Sequence, residues 1–209
     1  VDAPLHRRRG MTTLLLVRHA RHDRVGGVLC GRMEGVHLSP TGHAEAARLA
    51  HRLARHAPAA IFTSPQPRAR ETAEAIAQAC GAQPQVAEAL DEIDFGEWTG
   101  RAFADLDPDP HWQAWNAHRA VMRAPGGEAM HEAQARLMRW IAGLPAAHPH
   151  ATVVAVSHAD VIKAAVLAVL DLTLDAHHRI EVAPASVSTL ALWPGGGRVG
   201  YLNETPPEE

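Results

Sequence analysis

The apolar run Leu14-Leu15-Leu16-Val17 ends abruptly in Arg18-His19, a fixed cation followed by an imidazole. Four apolar residues closed by charge fit a short buried strand, and in open α/β sheets reactive groups gather just beyond the carboxyl ends of strands. The guanidinium disfavours a second positive charge, so the ring is expected to be neutral and able to attack an electrophile or bind a metal. With 15 histidines in 209 residues, a strand-capping arginine and an incidental histidine form the competing reading of this dipeptide. The pattern recurs at Thr152-Val153-Val154-Ala155-Val156, a second buried strand that runs into Ser157-His158 and then a helix. A third strand, Ala60-Ile61-Phe62-Thr63, leads through Ser64-Pro65 to Arg68 in the first turn of another helix. Helix N-termini attract anions, and two histidines with two arginines at one sheet edge would bind phosphate.

The elements that must position these residues alternate along the chain. Ser39-Pro40 opens an Ala-rich helix to about His56, with Ser39 as N-cap and Pro40 at the first helical position. A second helix runs from about Pro67 to Ala79 and is stopped by Gly81. Residues 84–100 read as irregular and acidic, carrying Asp91, Glu92, Asp94 and Glu97. Helical segments follow around His111 to Met122 and Glu128 to Leu144, and again from Asp160 to Leu170. The tail from Arg179 to Leu202 alternates well enough for two or three strands joined at Pro194-Gly195-Gly196-Gly197. This order predicts an α/β fold, a three-layer sandwich with a mixed, largely parallel central sheet flanked by helices. A single domain over residues 11–209 is expected, preceded by a disordered extension over residues 1–10.

Composition narrows the partners. At 46% hydrophobic the chain is long enough for one sizeable core, and a net charge of −3 gives no global reason to expect nucleic acid or an anionic membrane. Lys163 is the only lysine among 20 basic residues, so arginine is the default cation and only position can mark one as a phosphate ligand. Cys30 and Cys80 form neither a disulfide framework nor a metal-ligand spacing, which suits a reducing cytoplasm. Arg7-Arg8-Arg9 is followed by no apolar stretch of signal-peptide length, and the longest apolar run, Ala164 to Leu170, is too short to span a membrane. The pairs His19/His22, His111/His118, His148/His150 and His177/His178 make no closed zinc pattern. No metal or other cofactor is expected; the oligomeric state is open.

Five ordered segments then carry a resemblance. They are Arg18-His19 after a strand, Thr63-Ser64-Pro65-Gln66-Pro67-Arg68-Ala69-Arg70-Glu71-Thr72-Ala73, Leu90-Asp91-Glu92 leading to Gly96-Glu97-Trp98-Thr99-Gly100, Gly126-Gly127-Glu128, and Val156-Ser157-His158. Together, from about Thr12 to Val187, the chain resembles the histidine phosphatase superfamily in its phosphoglycerate-mutase-like branch. Two departures stand out. Ala20 replaces the usual glycine after Arg-His, and the asparagine common a few residues later has no evident counterpart in His22-Asp23-Arg24-Val25.

The resemblance implies a metal-independent phosphatase acting on a small-molecule phosphate monoester. His19 would attack phosphorus to give a phosphohistidine, which water then hydrolyses. Arg18 and Arg68 would neutralise the phosphoryl oxygens, and His158 would add a donor. The departing alkoxide needs a proton, and the family motif singles out Glu92 as its source. Asp160, two residues after His158, is the rival acid, because a related branch draws its acid from just after the second histidine. Arg32, Arg119 and Arg123 are possible substrate contacts, as are Trp98, Arg101, Trp112 and Trp115, although Trp112 and Trp115 share a helix face that by default is core. Ser186 and Ser188 have only a weak claim to a site. A phosphoglycerate-mutase-type phosphotransferase and a non-catalytic phosphate-binding module are the alternatives.

Overall fold

The computed structural model describes residues 10–205, so the expected N-terminal extension lies outside the described residues except for Gly10. Six strands form one sheet: β1 (Thr12–Arg18), β2 (Ala60–Thr63), β3 (Pro84–Val86), β4 (Thr152–Ser157), β5 (Val187–Trp193) and β6 (Gly196–Glu204), in the order β3-β2-β4-β1-β5-β6. The first four are parallel, whereas β5 runs antiparallel to β1 and β6 antiparallel to β5. The sheet is therefore mixed, as expected.

Strands covered on both faces must be apolar at successive positions, and the central pair obeys this. Leu14 and Leu16 of β1, with Val153 and Ala155 of β4, pack with helices α5 (Met130–Ala147) and α6 (Ala159–Val169). Leu15, Val17, Val154 and Val156 face the opposite layer, made of α1 (Pro40–Ala54) and α2 (Pro67–Cys80). The caps follow the sequence signals. Ser39 Oγ accepts from the Gly42 N–H, and Gly81 ends α2 at φ 63°, the left-handed region that glycine adopts freely.

Departures from expectation are local. Three residues of the acidic stretch pair as β3 at a sheet edge, a segment too short to show a period of two. The helix expected through Met122 ends at Ala117 (α4, Pro110–Ala117), preceded by a single turn, α3 (Phe103–Leu106). α5 begins at Met130 rather than Glu128, and the tail contains two strands, with a 3-10 turn over Leu174–Arg179 ahead of them. Trp98, Trp112 and Trp115 are buried in the core, where they make edge and stacked contacts at 5.3 to 5.8 Å between ring centroids. Among the described residues no helix is long and apolar enough to cross a membrane.

The acidic loop after β3 is locked to the segment before α5 by backbone contact. Glu97 N–H bonds to Pro125 O at 2.9 Å, and Glu128 N–H to Asp94 O at 2.7 Å. Gly96 sits there at φ +51°, and a Cβ on it would lie 2.1 Å from Pro125 O. Gly96→Ala combines a left-handed backbone with a backbone clash and is expected to cost about 3 kcal/mol. A drop in thermal midpoint measured by calorimetry checks this.

Candidate active site

The sheet register assembles the site. Arg18 pairs with Ser157 across β1 and β4, and Thr63 of β2 pairs with Val156. His19 N–H bonds to Ser157 O at 3.0 Å, and Ser64 N–H to Val156 O at 2.9 Å. Three adjacent parallel strands thus end level, and His19, Ser64 and His158 emerge together. A cavity of about 190 Å³ opens over these ends, with Arg18, His19, His22, Arg68, Glu92 and Asp160 as its polar lining and Val28, Leu29, Phe95 and Phe103 among its apolar walls.

Hydrogen bonding fixes the His19 ring. Its Nδ1 lies 2.8 Å from Ala20 O, which can only accept, so Nδ1 carries the proton. Nε2 then presents a lone pair, and Arg68 Nε donates to it at 3.3 Å. Burial, followed by the positive charges of Arg68 and Arg18, holds His19 well below the usual histidine range. The ring is neutral and oriented, with its Nε2 lone pair toward Arg68. Arg68 is itself buried; its Nη2 donates to Gly31 O at 2.6 Å, while its Nη1 and the Nε of Arg18 are buried without partners. Buried donors left unpaired are costly, and because both side chains line the cavity a turn of either would offer them to an anion there.

His158 is held by a chain of polar groups. Arg68 Nη2 lies 3.3 Å from its Nδ1, and its Nε2 lies 2.8 Å from Ser64 Oγ, which in turn donates to Asp91 Oδ1 at 3.2 Å. A guanidinium only donates, so Nδ1 accepts and Nε2 carries the proton. Burial and then Arg68 keep this ring neutral as well.

The two carboxyl groups of the cavity differ in charge. Burial, and then the negative charge of Asp160, raises Glu92 to about 7 against the opposing pull of Arg68 and Arg18. Burial also pushes the Asp160 carboxyl up, but Arg119 outweighs it through charge and a 2.8 Å ion pair, leaving Asp160 below its usual range. At neutral pH Glu92 can hold a proton and Asp160 is ionised. Glu92 lies 3.7 Å from His158 Nδ1 and accepts from Ile93 N–H at 3.0 Å.

The expected substrate contacts separate on inspection. Arg18, His19, Arg68 and Glu92 line the cavity together and His158 touches them, but Arg32, Arg119 and Arg123 do not line it. Arg32 is drawn back by Asp91 at 3.1 Å and Glu128 at 3.3 Å, Arg119 stacks on Trp115 behind Asp160, and exposed Arg123 bonds Glu132 and Gly127 O. Arg101 pairs with Asp109, and Ser186 and Ser188 are buried away from the cavity. Each of these arginines was visible only as a charge; its acidic partner decides where it points.

Two contributors had no sequence signal of comparable strength. Arg136 on α5 donates to Ala89 O and Asp91 O, both at 2.7 Å, and to Glu92 O at 3.1 Å, while Glu128 pairs with its Nε at 2.9 Å. It clamps the backbone that carries Glu92. His22 is buried and stacked 5.4 Å from His19, with its Nδ1 accepting from Arg24 N–H at 3.3 Å, and burial followed by Arg68 and Arg18 lowers it to about 4. Ala20 has no left-handed backbone; its N–H donates to Thr72 Oγ1 at 3.1 Å, and its buried side chain joins the core beside α1 and α2. The turn that aims His19 therefore needs no glycine. Among the described residues no group of three His, Cys, Asp or Glu side chains is placed to hold a metal ion.

Known proteins resemble this chain over most of its length. The model of the histidine phosphatase superfamily (branch 1) matches residues 14–205. Phosphoserine phosphatase 1 of Hydrogenobacter thermophilus is 29% identical over 185 residues, 86% of each chain. A bifunctional protein of Mycobacterium tuberculosis is 30% identical over 199 residues, 93% of this chain but only 54% of its own length. Among solved structures, mycobacterial glucosyl-3-phosphoglycerate phosphatase in complex with inorganic phosphate superposes with a TM-score of 0.82 at 27% identity, covering 93% of this chain and 98% of its own.

Proposed function

Because the chain belongs to the histidine phosphatase superfamily, branch 1, and is a phosphoric monoester hydrolase, we propose that it cleaves a small-molecule phosphate ester in two steps through a phosphohistidine on His19. The observation that carries this reading is the His19 ring, whose Nδ1–H is spent on Ala20 O and whose Nε2 lone pair faces the Arg68 guanidinium inside the cavity.

In the first step Nε2 attacks phosphorus as the bond to the ester oxygen breaks, and Glu92 gives that oxygen its proton. Arg18 and Arg68 turn their unpaired donors to the phosphoryl oxygens and carry the charge of the transition state. His158 stays neutral and acts through Arg68, whose guanidinium its Nδ1 accepts from while Ser64 Oγ fixes its Nε2. In the second step the Glu92 carboxylate takes a proton from water, whose oxygen attacks phosphorus. The N–P bond breaks, its electron pair returns to Nε2, and inorganic phosphate leaves.

Hydrolysis is favoured over transfer within a substrate because Arg119 and Arg123, which would hold a second phosphate, are already engaged by Asp160 and Glu132. The free thiols of Cys30 and Cys80 suit a cytoplasmic setting. Phosphate release from 4-nitrophenyl phosphate is expected to proceed undiminished in excess chelator, since two guanidiniums supply the positive charge. Loss of turnover on chelation, restored by a divalent ion, would refute metal-free chemistry.

A further inference from the structure

A phosphoryl dianion in the cavity uses both cations that line it, Arg18 and Arg68, because the lining histidines His19 and His22 are neutral. What then remains for the alcohol half of the ester is the carboxyl groups of Asp160 and Glu92, the neutral His22, the Cys30 thiol and apolar wall. Asp160 lines the cavity and bonds Arg119 through Oδ2, while Arg119, Lys163 and His177 act on it from outside the lining. Arg32 and Arg123, two cations expected to contact substrate, do not line the cavity and are paired with carboxylates.

We infer that Asp160 selects the alcohol half, favouring phosphate esters whose alcohol carries a hydrogen-bond donor, ammonium or hydroxyl, near the ester oxygen and disfavouring those that carry a carboxylate there. An ammonium or hydroxyl donates to the Asp160 carboxylate. A carboxylate meets a like charge whose counter-ion, Arg119, does not line the cavity, and like charges in a small cavity discriminate. Asp160 lines the same cavity as Glu92, the group proposed to protonate the ester oxygen. This rests on the phosphatase reading and sharpens it.

The test uses three esters of similar size, O-phosphoethanolamine, 2-hydroxyethyl phosphate and phosphoglycolate, with 4-nitrophenyl phosphate as the reporter of phosphatase activity itself. The unaltered enzyme is expected to show kcat/KM for the first two at least about tenfold above that for phosphoglycolate. The comparison of ammonium with hydroxyl tells which donor is preferred. In Asp160→Asn, Arg119 loses its counter-charge, and the ratio of phosphoglycolate to O-phosphoethanolamine turnover is expected to rise by about tenfold or more. Phosphoglycolate accepted as well as the other two by the unaltered enzyme, or a ratio unmoved by the substitution, would overturn the inference. Hydrolysis of 4-nitrophenyl phosphate alone, with none of the three aliphatic esters, would also overturn it while leaving the phosphatase reading standing. No turnover of any ester would overturn both. The ranking in the unaltered enzyme decides the matter even if Asp160→Asn fails to fold.

Discussion

His19→Ala is expected to lower kcat/KM by at least about 10⁴-fold, the scale on which loss of a covalent nucleophile is felt. The effect should fall on chemistry and not on phosphate binding. Arg18 and Arg68 keep their buried, unpaired donors when the ring is removed, so inorganic phosphate should still raise the thermal midpoint of the variant. His158 cannot substitute for it, because its Nε2 is tied to Ser64 Oγ and its Nδ1 faces both Arg68 and Glu92. Activity retained in His19→Ala but lost in His158→Ala would mean that the two rings exchange roles.

Glu92→Gln should produce the second-largest loss, and one that depends on the leaving group. For an alkyl ester, whose departing oxygen is strongly basic, kcat/KM should fall by about 10² to 10⁴-fold. For 4-nitrophenyl phosphate the fall should be far smaller, since that leaving group departs without a proton. Dephosphorylation, which needs Glu92 as base, should instead limit the variant and give a burst of nitrophenolate. The pH profile carries the same signature. The acid works only while protonated, and with Glu92 near 7, alkyl-ester kcat/KM in the unaltered enzyme should hold on the acid side and fall as pH rises through about 7. His19, well below its ordinary range, stays neutral across that plateau. Asp160→Asn removes a charge that raises Glu92, so the falling limb should move to lower pH. If instead Asp160→Asn abolished leaving-group-dependent turnover and Glu92→Gln did not, Asp160 would be the acid.

Much of this was legible in the sequence because the central strands are covered on both faces, which forces uninterrupted apolar runs such as Leu14 to Val17 and Val153 to Val156. The charged residue that closes such a run marks the sheet edge, and Arg18-His19 and Ser157-His158 both lie there. Arg68 was readable from strand, turn and helix start. Charges whose direction depends on distant partners were not. Arg32, Arg119 and Arg123 looked available and are consumed by Asp91 and Glu128, by Asp160, and by Glu132. Arg136 looked like an ordinary helix-face arginine, yet it holds three backbone carbonyls of the loop that carries Glu92. His22 sits in a loop with no periodicity to mark it, and only the folded turn stacks it on His19. Ala20, a departure from the resemblance, proves compatible because the site needs its carbonyl and N–H, not a glycine conformation.

The covalent intermediate on His19 can be trapped directly. Glu92→Gln should accumulate it, because removal of the base slows hydrolysis of the phosphoryl enzyme more than its formation from 4-nitrophenyl phosphate. Quenching that variant in base during turnover and mapping the modified peptide by mass spectrometry should find one phosphoryl group, stable to base and labile to acid, on His19. A phosphoryl group on another residue, or none at any time point while nitrophenolate is released, would contradict the account.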